Sequence, residues 1–99
     1  MGACEFWEIA DGATAREAFG RAVEQARYEH GAGGYPGTIA EKHEFVMVST
    51  QVMSREAAHA LSNRLLDERD PRVHDKWGPA GCIALSTPGR WLFFGWASS

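Results

Sequence analysis

One segment near the end of the chain, Arg90-Trp91-Leu92-Phe93-Phe94-Gly95-Trp96, constrains the fold more than any other. Four of the six residues at positions 91–96 are Trp or Phe. Strand alternation would place Trp91 and Phe93 on one face of a sheet and Leu92, Phe94 and Trp96 on the other. A strand that is apolar on both faces is either central and covered twice, or an edge strand with a partner.

Helical and extended patterns divide the remainder of the chain. Residues 3–10 predict a strand, and Thr14 with Glu17 forms a capping box before an amphipathic helix over 14–30 that Gly31 ends. A second helix is predicted after Ser54 and before Pro71. Two strands, at about 82–86 and 90–97, close the chain.

The middle of the chain allows two readings. Residues 38–40 and 45–50 look extended, and the polar residues 41–44 between them predict a hairpin tip. The resulting order is that of a single α+β domain over residues 1–99: a ferredoxin-like βαββαβ sandwich with an extra C-terminal strand. Both helices would then cover one face of an antiparallel sheet. If 38–50 is instead one unbroken strand, the order becomes βαβαββ.

Composition excludes several classes of function. The net charge of −3 and pI of 5.7 argue against a nucleic-acid-binding protein, and no apolar run approaches the length of a membrane span. No secretory leader is recognisable, so Cys4 and Cys82 are expected to be free thiols in a cytoplasmic protein. Their spacing matches no zinc motif, and we expect neither a metal nor a cofactor.

Three segments carry a family resemblance: Tyr28-Glu29-His30-Gly31, Gly34-Tyr35-Pro36-Gly37-Thr38-Ile39-Ala40-Glu41-Lys42 and Asp75-Lys76-Trp77-Gly78-Pro79-Ala80. Together they resemble a group of small, largely uncharacterised proteins from bacteria and their phages. The resemblance implies a bacterial or phage cytoplasmic setting. It implies no activity, ligand or catalytic residue.

The glycine-rich segment 31–37 is a candidate ligand loop. It follows a helix C-terminus, where the dipole is negative and the free backbone groups are carbonyls, so it is not a phosphate cradle. A flexible connection is the favoured interpretation. A loop closing over a nucleotide or metabolite, with Gly33, Gly34, Tyr35 and Thr38 as contacts, is the alternative.

A polar cluster is the second candidate site. In the ferredoxin-like order, Glu41, His43 and Glu44 would meet the loop that carries His74, Asp75 and Trp77. Histidines beside carboxylates can bind a metal or act as acid and base, although this spacing matches no metal motif. Solvated loop ends are favoured. A pairing of Cys82 with His74 lacks the cation or helix N-terminus that would activate a thiolate.

The aromatic segment therefore decides the predicted function. Two helices on one face leave the other face open, so we expect Trp91, Phe93, Phe94 and Trp96 to form an interface. The sequence predicts a small non-catalytic binding module, as a homodimer or with a protein partner. The alternatives are a ligand binder that uses the glycine loop and a small enzyme that uses the His and carboxylate cluster.

Overall fold

The computed structural model describes residues 3–30 and 38–98. Its elements in chain order are β1 (Ala3–Asp11), α1 (Ala15–His30), a 3₁₀ turn (Ile39–Glu41), β2 (Phe45–Met47), α2 (Arg55–Asp67), β3 (Ala80–Ala84) and β4 (Arg90–Ser98). The predicted first strand, the starts of both helices and the two closing strands are confirmed to within about two residues. The second helix ends at Asp67, before the predicted limit at Pro71.

The four strands form one mixed sheet in the order β1-β4-β3-β2. β4 pairs antiparallel with both β1 and β3, whereas β2 and β3 are parallel because α2 crosses over between them. The predicted α+β class with two helices is confirmed. The predicted antiparallel sheet is wrong, and the chain follows the βαβαββ order that the sequence left open.

The hairpin predicted over residues 38–50 is wrong because its first half is a 3₁₀ turn. The hydroxyl of Thr38 accepts a hydrogen bond from the amide of Ala40 at 3.2 Å, and Lys42 N–H donates to the carbonyl of Ile39 at 2.9 Å. Ile39 is buried against α1. The chain therefore turns before it reaches β2, and only Phe45–Met47 forms regular strand.

Local sequence explains where the helices begin. Thr14 Oγ1 accepts from the amide of Glu17 at 3.2 Å, and the Glu17 carboxylate accepts from Ala13, one residue earlier than in the standard capping box. Ser54 Oγ accepts from the amide of Ala57 at 3.1 Å and starts α2. The predicted end of α1 at Gly31 lies outside the described residues.

The two helices cover opposite faces of the sheet, so the prediction that both cover one face is wrong. Phe93 packs in the cluster that contains the apolar residues of α1, and its neighbour Phe94 packs in the cluster of α2. Adjacent residues of a strand point to opposite faces. α1 carries the chain across the sheet from β1 to β2, and α2 carries it back to β3. Crossovers between parallel strands are right-handed, and these two run in opposite directions across the sheet. The helices α1 and α2 therefore lie on opposite faces.

β4 is therefore the central strand that is covered twice. Phe93 and Phe94 are fully buried. Each face also pairs a phenylalanine with a glycine across neighbouring strands: Phe6 lies opposite Gly95, and Phe94 lies opposite Gly81. A β-carbon on Gly81 would lie 2.5 Å from the Phe94 ring, so the absence of a side chain there makes room for the aromatic ring.

Candidate functional site

A groove of about 810 Å³ lies between α2 and β1. Its floor is apolar and is formed by Trp7, Ile9, Leu85 and Leu92. Its wall along α2 is formed by Arg55, Glu56, His59, Ala60 and Asn63, and Glu8 also lines it. A groove of this size with a largely apolar floor and a few polar groups is typical of binding sites in proteins.

The position of α2 over the sheet explains the groove. Ala58, Leu65 and Leu66 of α2 are buried over the inner strands, in the same cluster as Leu92 and Phe94. β1 lies at the edge of the sheet, beyond the centre of this contact. Trp7 and Ile9 are consequently only partly buried.

The indole ring of Trp7 is held in place from α2. Its Nε1 donates to Ser62 Oγ at 2.9 Å, and Ser62 Oγ donates to the carbonyl of His59 at 2.7 Å. The His59 ring lies over the indole with centroids 5.2 Å apart, and Asn63 Nδ2 lies 3.3 Å from His59 Nδ1. The groove therefore presents a preorganised aromatic surface, which lowers the ordering cost of binding. Ser62 is buried, and its hydroxyl is engaged both as an acceptor and as a donor.

The outer edge of β1 carries backbone groups that point away from the sheet. Gly12 N–H donates to Gly89 O at 2.9 Å and continues the β1–β4 ladder, so even-numbered residues of β1 bond to β4. The outward N–H and C=O groups belong to the odd-numbered residues: Ala3, Glu5, Trp7, Ile9 and Asp11. Within residues 3–30 and 38–98, β4 is the only strand that pairs with β1.

β1 is also acidic. It carries Glu5, Glu8 and Asp11 and no lysine or arginine. Asp11 forms an ion pair with Arg90 of β4, with Arg90 Nε 3.1 Å from Asp11 Oδ1. Both partners of this pair are substantially exposed, so it contributes little to stability.

The predicted aromatic interface rested on an uncovered sheet face, and a helix covers each face. Phe93 and Phe94 lie in the core, where their rings have no exposed area. Trp91 and Trp96 are partly buried. The Nε1 of Trp91 donates to the carbonyl of Gly12 at 3.0 Å, and that of Trp96 is buried with no hydrogen-bond partner among the described residues.

The segments that carry the predicted polar cluster do meet at one end of the sheet, because both precede the parallel strands β2 and β3. The residue that joins them is Lys42. Its Nζ donates to the carbonyls of Lys76 at 2.9 Å, Gly78 at 3.0 Å and Asp75 at 3.5 Å. Burial lowers the pKa of Lys42, and the Asp75 and Glu41 carboxylates oppose this shift. Lys42 thus anchors a loop.

The two predicted carboxylates near Lys42 each accept a hydrogen bond from a backbone amide. Glu41 Oε1 accepts from the amide of Ser98 at 3.0 Å, and Asp75 Oδ1 accepts from Trp77 N–H at 2.8 Å. His43, Glu44 and His74 are exposed. Across the described part of the chain, no three His, Cys, Asp or Glu side chains are grouped closely enough to hold a metal ion.

Of the four predicted contacts in the glycine-rich loop, the structure describes Thr38. Gly33, Gly34 and Tyr35 lie outside the described residues. Thr38, the fourth predicted contact, caps the 3₁₀ turn through its hydroxyl. Trp77 is 63% exposed, and Lys76 Nζ lies 5.3 Å from the centre of its ring.

The two cysteines differ in their environments. Cys82 lies in the core, and burial raises the pKa of its thiol to about 12. A thiol that stays protonated at neutral pH is a poor nucleophile, which argues against the Cys82 and His74 pairing. Cys4 is exposed on β1, and neither cysteine forms a disulfide.

Sequence reasoning missed the groove. Trp7 and Ile9 alternate along the predicted first strand and therefore share a face, which was a usable signal. His59 and Asn63 are four residues apart on α2, so they share one side of the helix. Nothing in the sequence indicated that this side of α2 would lie beside β1.

Neither helix in the described part of the chain is long and apolar enough to cross a membrane. Comparisons with protein-family models, curated proteins and solved structures found no match for this chain. The resemblance to small bacterial and phage proteins stays a prediction.

Proposed function

We propose that this chain is a small non-catalytic binding module that recognises a protein partner through the groove between β1 and α2. The observation that carries the proposal is the fixed, partly exposed indole of Trp7 on an apolar floor, beside a strand edge with which no other described strand pairs. Aromatic residues held rigidly in such positions are frequent anchors of protein interfaces.

The chemistry of the groove supports binding over catalysis. Its apolar floor supplies a hydrophobic contact, and Arg55, Glu56, His59 and Asn63 supply polar contacts along one wall. The serine beside the groove, Ser62, has its hydroxyl engaged by Trp7 and by the carbonyl of His59. A cytoplasmic location in a bacterium or phage remains a prediction from sequence, and a homodimer remains the alternative to a protein partner.

A selection from a library of random linear peptides tests this function. The protein is immobilised, and the enriched peptides are measured against Ile9→Ser, which removes an apolar side chain from the groove floor. The matched control is Val52→Ser, which removes an apolar side chain that is 65% exposed and does not line the groove. Thermal unfolding monitored by circular dichroism shows whether both variants retain the fold.

We expect the enriched peptides to lose affinity for Ile9→Ser by about tenfold or more and to bind Val52→Ser as tightly as the wild type. If no peptide is enriched, or if the enriched peptides bind both variants equally, the groove is not the binding surface.

A further inference from the structure

We propose that the partner segment is an extended basic peptide that pairs with β1 as a fifth strand of the sheet. This inference rests on the proposed function, since it names the kind of ligand that the groove and the adjoining strand edge accept. Strand addition at an exposed sheet edge is a common mode of peptide recognition, in which backbone hydrogen bonds supply affinity and alternate side chains supply specificity.

The two edge strands of the sheet differ in length and therefore in the number of backbone groups that could pair with another strand. β2 forms one edge and has three residues, and a strand this short supplies few pairing groups. β1 forms the other edge and has nine residues, all in continuous register with β4. Its sequence contains no proline or lysine, residues that commonly protect sheet edges from pairing. Among the described residues, β1 is thus the edge suited to accept another strand.

The register of β1 connects this edge to the groove. The outward backbone groups belong to odd-numbered residues, and the side chains of the same residues lie on the face that α2 covers, as Trp7 and Ile9 show. A strand that pairs with Trp7 and Ile9 would therefore direct alternate side chains toward the same face, beside the groove floor. Apolar side chains at these alternate positions would extend the contact with the indole of Trp7.

The charge of β1 indicates which kind of strand would pair with it. The charged side chains of β1 are all acidic, and Arg90 of β4 forms an ion pair with one of them, Asp11. A second copy of this chain paired through β1 would bring Glu5 of each copy beside another acidic strand, and neither β1 supplies a lysine or arginine. Like charges on adjacent strands are destabilising, whereas lysine or arginine near Glu5 would be attracted to it. The favoured partner is therefore a basic strand.

Two labelled hexapeptides test the charge requirement by fluorescence anisotropy at low salt. In both peptides valines occupy the two alternate positions that would lie opposite Ile9 and Trp7, and threonines occupy the intervening positions. The next alternate position, which would lie opposite Glu5, is lysine in one (the Lys–Val peptide) and glutamate in the other (the Glu–Val peptide). We expect the Lys–Val peptide to bind with a micromolar dissociation constant and the Glu–Val peptide to bind at least about tenfold more weakly. Failure of the Lys–Val peptide to bind, or equal binding of the two peptides, would overturn the inference.

A proline substitution tests the strand pairing itself. Glu5→Pro removes an outward N–H and leaves the hydrogen bonds to β4 intact, a position at which an edge strand tolerates proline. Glu5→Gln is the matched control, because it removes the same charge and keeps the N–H. We expect about threefold weaker binding of the Lys–Val peptide to Glu5→Gln, and a further loss of about tenfold in Glu5→Pro. Equal affinities for the two variants would show that the ligand does not pair with β1.

Two further measurements make the result decisive. If Glu5→Pro does not fold, Ala3→Pro removes another outward N–H without a change of charge, and Ala3→Val is its control.

Sedimentation tests whether a second copy of the chain occupies the β1 edge. A dimer of the wild type that Glu5→Pro dissociates would assign the edge to a second copy of the chain and refute a basic partner. Groove-dependent peptides that bind Glu5→Pro and Glu5→Gln equally would overturn strand addition alone and leave the proposed function standing.

Discussion

Replacing glycine with alanine is expected to have opposite effects at two positions, Gly81 and Gly20. Gly81 lies on β3 directly opposite Phe94. A β-carbon there would lie 2.5 and 2.6 Å from two atoms of the Phe94 ring and 2.9 Å from Val73 Cγ1. Gly20 lies within α1, and a β-carbon there would have nothing within 4 Å.

The loss of stability expected for Gly81→Ala follows from these distances. An ordinary contact is 3.4–4 Å, so the ring would have to move by nearly 1 Å, and Phe94 is fully buried between β3 and α2. Overpacking of this kind costs about 1–3 kcal/mol, and loss of the glycine's chain entropy in the unfolded state offsets about 0.5–1 kcal/mol of it. We expect Gly81→Ala to lower the free energy of unfolding by about 1–2 kcal/mol. Gly20→Ala should raise it by about 1 kcal/mol.

Urea unfolding followed by circular dichroism measures both effects. With a slope of about 1 kcal/mol per molar urea, the midpoint should fall by about 1–2 M for Gly81→Ala and rise by about 1 M for Gly20→Ala. A Gly81→Ala protein that is as stable as the wild type would refute the packing of Phe94 over Gly81. Combining Gly81→Ala with Phe94→Leu should cost less than the sum of the single changes, because the two residues are in direct contact.

Three shorter predictions concern other sites. Arg69 follows Glu68, the C-cap of α2, and has a φ of 56°. Arg69→Gly should therefore raise the free energy of unfolding by about 1 kcal/mol in the same urea assay, and a loss of stability would contradict a left-handed cap. Iodoacetamide at about pH 8 should modify Cys4 and spare Cys82 in the folded protein, because burial raises the pKa of Cys82 to about 12; mass spectrometry counts the modified sites. Hydrogen bonds from Arg72 lower the pKa of Asp70 below its ordinary 3.8, so the stability that this pair contributes is present above pH 3.8 and is lost as the pH falls through the folded-state pKa. The difference in unfolding free energy between the wild type and Asp70→Asn should therefore decrease with acidification, and a difference independent of pH would contradict the pair.

Local sequence was sufficient for the features that depend on neighbouring residues. The capping interactions of Thr14 and Ser54 are formed by side chains within three residues of the amides that they accept from, so both helix starts were predictable. The apolar stripe of α1 is fixed by the helical period, and the two closing strands are bounded by the turn at 87–89, where Gly89 has a φ of 78°.

The middle of the chain was not predictable in this way, because its conformation depends on distant partners. Residues 38–42 have an extended pattern, yet Ile39 is buried against α1 and Lys42 donates to carbonyls more than thirty residues away. A single buried ammonium that binds three carbonyls leaves no periodic signal in the sequence.

The sequence by itself determined that one strand, β4, would be apolar on both faces, and it allowed two explanations for this. Only the tertiary structure decided between them, because the choice depends on which strands α1 and α2 connect. One helix crosses from β1 to β2 and the other returns from β2 to β3, so each face of the sheet receives one helix. The same arrangement leaves β1 at the edge of the sheet, where Trp7 and Ile9 lie beside α2 and no described strand pairs with the outward backbone groups.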